Sequence, residues 1–155
     1  GNPLFCQQRI GRKGLPFTCY KLRSMRQDTK NVPTHQVGAT ALTSVGRFLR
    51  RTKIDELPQL INVLKGEMSL VGPRPCLPSQ DLLIAERRRQ GALDVLPGIT
   101  GLAQVQGIDM SDPVKLAAVD GNYVRTRTLA GDLKLILMTA TGAGGGDPAD
   151  RGRSG

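Results

Sequence analysis

The chain has no tryptophan, only 3% aromatic residues, a single histidine and three cysteines without CxxC spacing. With so few rings there is little on which bases could stack. No recognition-module signature is present either, so charge is the only feature pointing toward nucleic acid, which we rank last among partners. Cys6, Cys19 and Cys76 are odd in number and have one histidine, His35, to join them, which argues against a disulfide framework or a zinc site and suits a reducing compartment. His35 lies in a polar stretch without a nucleophile motif, so a Ser-His triad is not supported. No run reaches the roughly eighteen apolar residues of a transmembrane helix, and the start does not read as a signal peptide. Two phosphate-binding devices are missing too, the GxxxxGK[ST] P-loop and a GxGxxG after a strand.

What remains is a basic chain of one-domain size. Its 155 residues are 39% hydrophobic, enough for a core of Leu, Ile and Val. The net charge of +9 is uneven: residues 1–54 carry eleven Lys or Arg against the single acid Asp28, while the rest is nearly balanced. Such a field attracts a phosphate, a nucleotide or the anionic face of a membrane.

Local patterns predict a compact α/β (α+β) domain with several short helices around a small hairpin or sheet. PLFCQQRIGRKGLPFTCYKLRSM has apolar and aromatic residues on both sides of GRKG, which predicts a hairpin with a basic tip and Lys21 and Arg23 near the end of its second strand. Residues 27–43 read as a long loop. Ser44 is the expected cap of a helix over VGRFLRRT, with Val45, Phe48 and Leu49 as an apolar stripe and Arg47, Arg50 and Arg51 projecting elsewhere. Thr52-x-x-Asp55 resembles a capping box for a second helix, with Pro58 in its first turn, periodic Leu57, Leu60, Ile61 and Leu64, and a stop at Lys65-Gly66.

Pro73 and Pro75 bracket Arg74 and hold it on a constrained backbone. Helices are expected from Ser79 to about Gly91, over 113–124 and over 129–139, with LPGITGLAQVQG as turns and short strand. The domain is assigned to residues 1–140 and a Gly-rich tail without order to 141–155.

The adjacent acids Asp55 and Glu56 admit four roles: helix start, surface ion pair, metal ligands, or a nucleophile with its helper. Neighbouring helical positions point about 100° apart, so the two carboxylates cannot superpose as a shared-proton dyad, though both can touch one metal ion or one phosphate. Different roles are therefore expected. Lys21, Arg23, Arg50 and Arg74 each sit at a constrained place, and together they supply the point charge and planar forks that phosphate oxygens need. The run Arg87-Arg88-Arg89 reads instead as a solvated face.

YKLRSM at 20–25, GRFLRRTKIDELPQLINVLKGEMSLVGPRP at 46–75, PGITGLAQVQG at 97–107 and the D-x-x-Y at Asp120 and Tyr123 resemble the bacterial sugar transferase family, the monotopic phosphoglycosyl transferases. The likeness runs over about residues 3–140 in the expected order. It implies an enzyme that moves a sugar 1-phosphate from a UDP-sugar onto a polyprenol (undecaprenyl) phosphate, releasing UMP and starting a surface glycan, with Mg²⁺ as cofactor. By motif, Asp55 is then the nucleophile and Glu56 its partner, the two acids hold the metal, and Lys21, Arg23, Arg50 and Arg74 meet the phosphates. Asp120 is carried over as a substrate contact.

The resemblance also implies residence at the cytoplasmic face of the bacterial inner membrane, and it leaves room for a homo-oligomer. Family members begin with an apolar re-entrant segment, and this chain is expected to lack it, so that attachment rests on amphipathic surface such as residues 45–51. The alternative is a membrane-surface scaffold that keeps the fold without turnover. Determinants of the sugar are expected in 26–43 and 107–113.

Overall fold

The computed structural model describes residues 2–24 and 43–144. Its chain opens with the expected hairpin. Strand β1 (Leu4–Ile10) pairs antiparallel with β2 (Pro16–Leu22), from Leu4 opposite Leu22 to Ile10 opposite Pro16. The reversal runs through a 3-10 turn at Arg12–Gly14, where Lys13 and Gly14 take left-handed φ of 60° and 74°. Period-two alternation turns Phe17, Cys19 and Lys21 to one face. Phe17 and Cys19 are buried there against Met68, and Lys21 continues the row beyond the apolar cluster.

Helix α1 covers Ser44–Arg51, but its cap is Thr43 rather than Ser44: the Thr43 hydroxyl accepts from the Gly46 N–H at 2.9 Å. A cap of this kind is worth about 1 kcal/mol. Gly46 is required for packing, since a Cβ there would stand 1.9 Å from the Ser24 carbonyl. The expected capping box does not form. Thr52 closes α1 instead, its hydroxyl donating back to the carbonyls of Phe48 and Leu49 at 2.9 and 3.1 Å. Lys53 then takes a left-handed φ of 58° and breaks the helical path. In place of one helix from Thr52, the chain forms a 3-10 turn at Ile54–Glu56 and, past Pro58, a short helix α2 over Gln59–Leu64. Lys65 and the left-handed Gly66 end it, as the sequence indicates.

Strand β3 (Ser69–Val71) pairs parallel with β4 (Gly98–Thr100), and helix α3 (Asp81–Arg89) lies in the connection between them. Between β3 and α3 runs the Pro73-Arg74-Pro75 segment. Prolines donate no N–H, so this stretch cannot join a ladder on its own terms, and its carbonyls must find donors elsewhere. They do: Pro73 O accepts from the Gly98 N–H at 3.0 Å, Arg74 O from Arg87 Nη1 at 2.7 Å, Pro75 O from Arg9 Nη1 at 3.0 Å and Cys76 O from the Ile10 N–H at 2.8 Å. Four consecutive carbonyls are thereby tied to four different donors from β1, α3 and β4.

Residues 101–107, expected as turn and strand, contain one short helix, α4 (Leu102–Val105). Helix α5 (Pro113–Thr126) begins at Asp112, which accepts from the Lys115 N–H, and α6 (Leu129–Ala140) begins at Thr128, which accepts from the Gly131 N–H. Helices α3 and α5 pack on each other through Leu83, Leu116 and Ala117. Tyr123 and Leu135 join Val71 in a second cluster. The loop at 27–43 falls outside the described residues up to 42, and the tail from 145 onward does as well.

Candidate active site

The 3-10 turn at 54–56 buries both acids, with Asp55 and Glu56 each 7% exposed. Three segments bring cations to them. The β2 face supplies Lys21, whose Nζ lies 3.4 Å from Glu56 Oε1, and the clamped proline segment supplies Arg74, whose Nη2 lies 2.5 Å from the same oxygen. The last turn of α1 supplies Arg50, which contributes to the field at Asp55 and donates from Nε to Ser24 Oγ at 2.9 Å.

The two acids titrate in opposite directions. Burial pushes Glu56 up, but Arg74 and then Lys21 outweigh it and hold the carboxyl down at about 2. Burial pushes Asp55 up as well, Glu56 adds to that, and Lys21, Arg50 and Arg74 only partly oppose it. Among the described residues no side chain hydrogen-bonds or ion-pairs the Asp55 carboxylate. Burial and then Arg74 lower Lys21 to about 8 despite Glu56. The environments of the two neighbouring carboxyls thus drive their titrations apart.

Arg74 is fixed at both ends. Its backbone is clamped through the carbonyls of residues 73–76, and its Nη1 donates at 3.0 Å to the side-chain oxygen of Gln104, whose amide nitrogen donates to the Ile99 carbonyl at 3.2 Å in the orientation that satisfies both groups. Gln104 on α4 and the buried Arg9 are residues that sequence reasoning missed. Arg9 donates twice to Gln7 Oε1 besides holding Pro75 O, and burial with the nearby Arg74 charge lowers it to about 10. Alternation along β1 could have found it, because Gln7 and Arg9 share the inward face opposite Cys19 and Phe17.

Two residues stand apart from the acid pair in their contacts. Arg23 donates to the Asn2 carbonyl at 3.0 Å and lies over the Phe5 ring. Asp120, 3% exposed, is engaged by Arg87, whose Nε and Nη2 lie 2.9 and 2.8 Å from its Oδ2. The three-arginine run is thus not a uniformly solvated face: Arg88 and Arg89 are exposed, whereas Arg87 is 1% exposed and reaches from Asp120 to the Arg74 carbonyl. The signal was its spacing, four residues after the core Leu83 on the same helix face.

Among the described residues no group of three or more His, Cys, Asp or Glu is arranged to hold a metal ion. A two-carboxylate donor set does fit Mg²⁺, which keeps several waters and is bound through one or two carboxylates together with substrate phosphates. Asp55 and the second oxygen of Glu56 are the atoms that could serve.

A buried acid pair among clustered Arg and Lys, on a small α/β domain, is an arrangement suited to phosphate groups. Residues 1–144 match the model of the bacterial sugar transferases, and the chain belongs to that family. It is 45% identical over 148 residues to the UDP-glucose:undecaprenyl-phosphate glucose-1-phosphate transferase of Caulobacter vibrioides, covering 90% of this chain and 55% of that protein. It is 41% identical over 140 residues to the uncharacterized sugar transferase EpsL of Bacillus subtilis, covering 90% and 69%, and 38% identical over 163 residues to the undecaprenyl-phosphate galactose phosphotransferase of Salmonella typhimurium, covering 90% and 33%. The chain therefore spans about half or less of the two relatives named for a sugar. No helix among the described residues is long and apolar enough to cross a membrane.

Proposed function

We propose that the protein transfers a sugar 1-phosphate from a UDP-sugar to a polyprenol phosphate and releases UMP, the reaction that starts a surface glycan. The observation that carries this reading is the contrast within the acid pair: Glu56 is held by Arg74 and Lys21, whereas Asp55, in the same cationic field, engages no described side chain. A carboxylate so placed is free to attack phosphorus.

In the first step an Asp55 oxygen bonds to the phosphorus of the sugar phosphate. The bond from that phosphorus to the bridging oxygen breaks, and UMP leaves with the oxygen. In the second step an oxygen of the polyprenol phosphate attacks the same phosphorus, the bond to Asp55 breaks, and the carboxylate is restored. Arg74, Lys21 and Arg50 offset the negative charge of the diphosphate, and Glu56 keeps Arg74 and Lys21 aimed at it. Mg²⁺ held by Asp55 and Glu56 would add charge neutralisation at the diphosphate.

The acceptor is a lipid, and the surface suits one. Val45, Phe48, Leu57, Leu60, Ile61 and Leu64 are exposed large apolar side chains, and Arg47 and Arg51 are exposed among them in sequence. This combination supports reversible seating on the cytoplasmic face of a bacterial inner membrane.

The test is UMP release from UDP-glucose and UDP-galactose with Mg²⁺ and polyprenol phosphate. Asp55→Asn should lower release by about six orders of magnitude, the scale seen when a nucleophile is removed, with the circular dichroism spectrum unchanged. Full activity of that variant overturns the nucleophile. A native protein that releases no UMP in the presence of acceptor overturns the reaction.

A further inference from the structure

Residues 54–64 turn a polar face inward. Asp55, Glu56, Gln59 and Asn62 are the buried positions of this stretch, while Leu57, Leu60, Ile61 and Leu64 are exposed. Two of the inward groups already have partners. Glu56 holds Arg74 and Lys21, and the Asn62 amide donates to the Thr18 carbonyl at 2.7 Å and to Glu67 Oε2 at 2.8 Å while accepting from the Tyr20 N–H at 3.2 Å. Gln59 differs. It is 2% exposed, yet among the described residues its amide has no hydrogen-bond partner.

The amide is not among the sealed, unpartnered side-chain atoms, so the little surface Gln59 shows includes its amide, where a bound group can reach it. Leu57 and Pro58 have right-handed helical dihedrals, so Gln59 follows Asp55 at the i+4 position, where side chains on one face are neighbours. The unengaged amide and the unengaged carboxylate thus both lie on the inward side of this stretch. The amide's chemistry indicates what it would meet. Phosphate oxygens only accept, and three cations already serve them. A metal ion needs acceptors alone. An amide offers both donors and an acceptor, which matches a hydroxyl group.

Resting on the transfer reaction above, we propose that the Gln59 amide hydrogen-bonds a hydroxyl of the sugar being transferred, and so helps select the sugar. A hydroxyl near the anomeric carbon is brought beside Asp55 whenever the phosphorus is within reach of attack. Apolar replacement of Gln59 leaves that hydroxyl without its partner, while a donor lacking the hydroxyl leaves the amide as it is in the free protein. The two losses are thus one interaction counted from either side.

The experiment compares native protein with Gln59→Met and Gln59→Ala, purified in detergent with Mg²⁺ and polyprenol phosphate. The substrates are UDP-glucose, UDP-galactose and their 2-, 3-, 4- and 6-deoxy analogues. Both variants should lower kcat/KM about tenfold on the parent sugar and on every analogue but one, and on that one should fall within about twofold of native. An equal loss on all analogues marks a structural or phosphate-directed role and overturns the proposal, as does no loss. The same panel is read as UDP-sugar affinity by calorimetry. If the native protein binds UDP-sugars but releases no UMP, the reaction is overturned while the affinity pattern still decides the role of Gln59. Absence of all UDP-sugar binding overturns both.

Discussion

Residues 54–64 and helix α3 are both short, leucine-bearing helical stretches, and they face opposite ways. In α3 the apolar Leu83 points into the core and most charged positions point out. In 54–64 the acids and amides point in, and four large aliphatic side chains point out. Burial of Leu83 removes apolar surface from water and contributes on the order of 1.5–3 kcal/mol. Burial of Asp55 and Gln59 gains nothing comparable, because neither has a partner among the described residues to replace water. One stretch holds the fold together, and the other uses that stability to hold acids and amides away from bulk solvent.

The comparison can be broken first at its exception, the one charge that α3 buries. Arg87→Met strands Asp120 and should cost roughly 3–5 kcal/mol in urea unfolding. Pairing it with Asp120→Leu should restore most of that stability but not UMP release, because the Arg74 carbonyl still lacks its donor. Full recovery of activity in the double variant would separate the pair from the site. Next in size is the contrast between leucines. Leu83→Ala should cost about 2–5 kcal/mol, and Leu64→Ala should stay within about 0.5 kcal/mol while weakening retention on anionic vesicles. Asn62→Leu should fall between, at about 1–3 kcal/mol, since it leaves the Thr18 carbonyl and the Tyr20 N–H unpaired.

The smallest effect concerns pH. As the proposed nucleophile, Asp55 must be ionised, and burial together with the neighbouring Glu56 charge raises its pKa, so native kcat/KM should fall as pH drops through a point above the usual carboxylate range. Lys21 loses its charge as pH rises through about 8, which sets the alkaline side. Glu56→Gln removes a charge that raises both groups, so both limbs should move to lower pH. A limb that moves upward would mean that another group controls it.

Much of this was legible from residue order. Apolar alternation around GRKG gave the hairpin, and periodicity marked α3, α5 and α6 to within a few residues. The break at Lys53 was not legible: a lysine carries no mark of left-handed φ, and Thr52-x-x-Asp55 offers a plausible cap that tertiary packing overrode in favour of closing α1. Lys21, Arg50 and Arg74 were legible as residues on constrained backbone, and the structure gathers them around the acid pair. The groups that support them were harder to see. Arg87 hides in a run of three identical side chains, and Arg9 and Gln104 act through backbone carbonyls and an amide, contacts that residue type alone does not announce.

The carbonyl ties of residues 73–76 also constrain the order of folding. The β1–β2 hairpin is a local structure that can form within microseconds. Seating Arg74 must wait, because its segment is held by Ile10 and Arg9 from the hairpin, Arg87 from α3 and Gly98 from β4, all distant along the chain. Such non-local closure comes late and slowly. The Arg74 part of the counter-charge for Glu56 thus arrives after the hairpin that carries Lys21, and a partly folded chain has a carboxylate pair without its guanidinium partner.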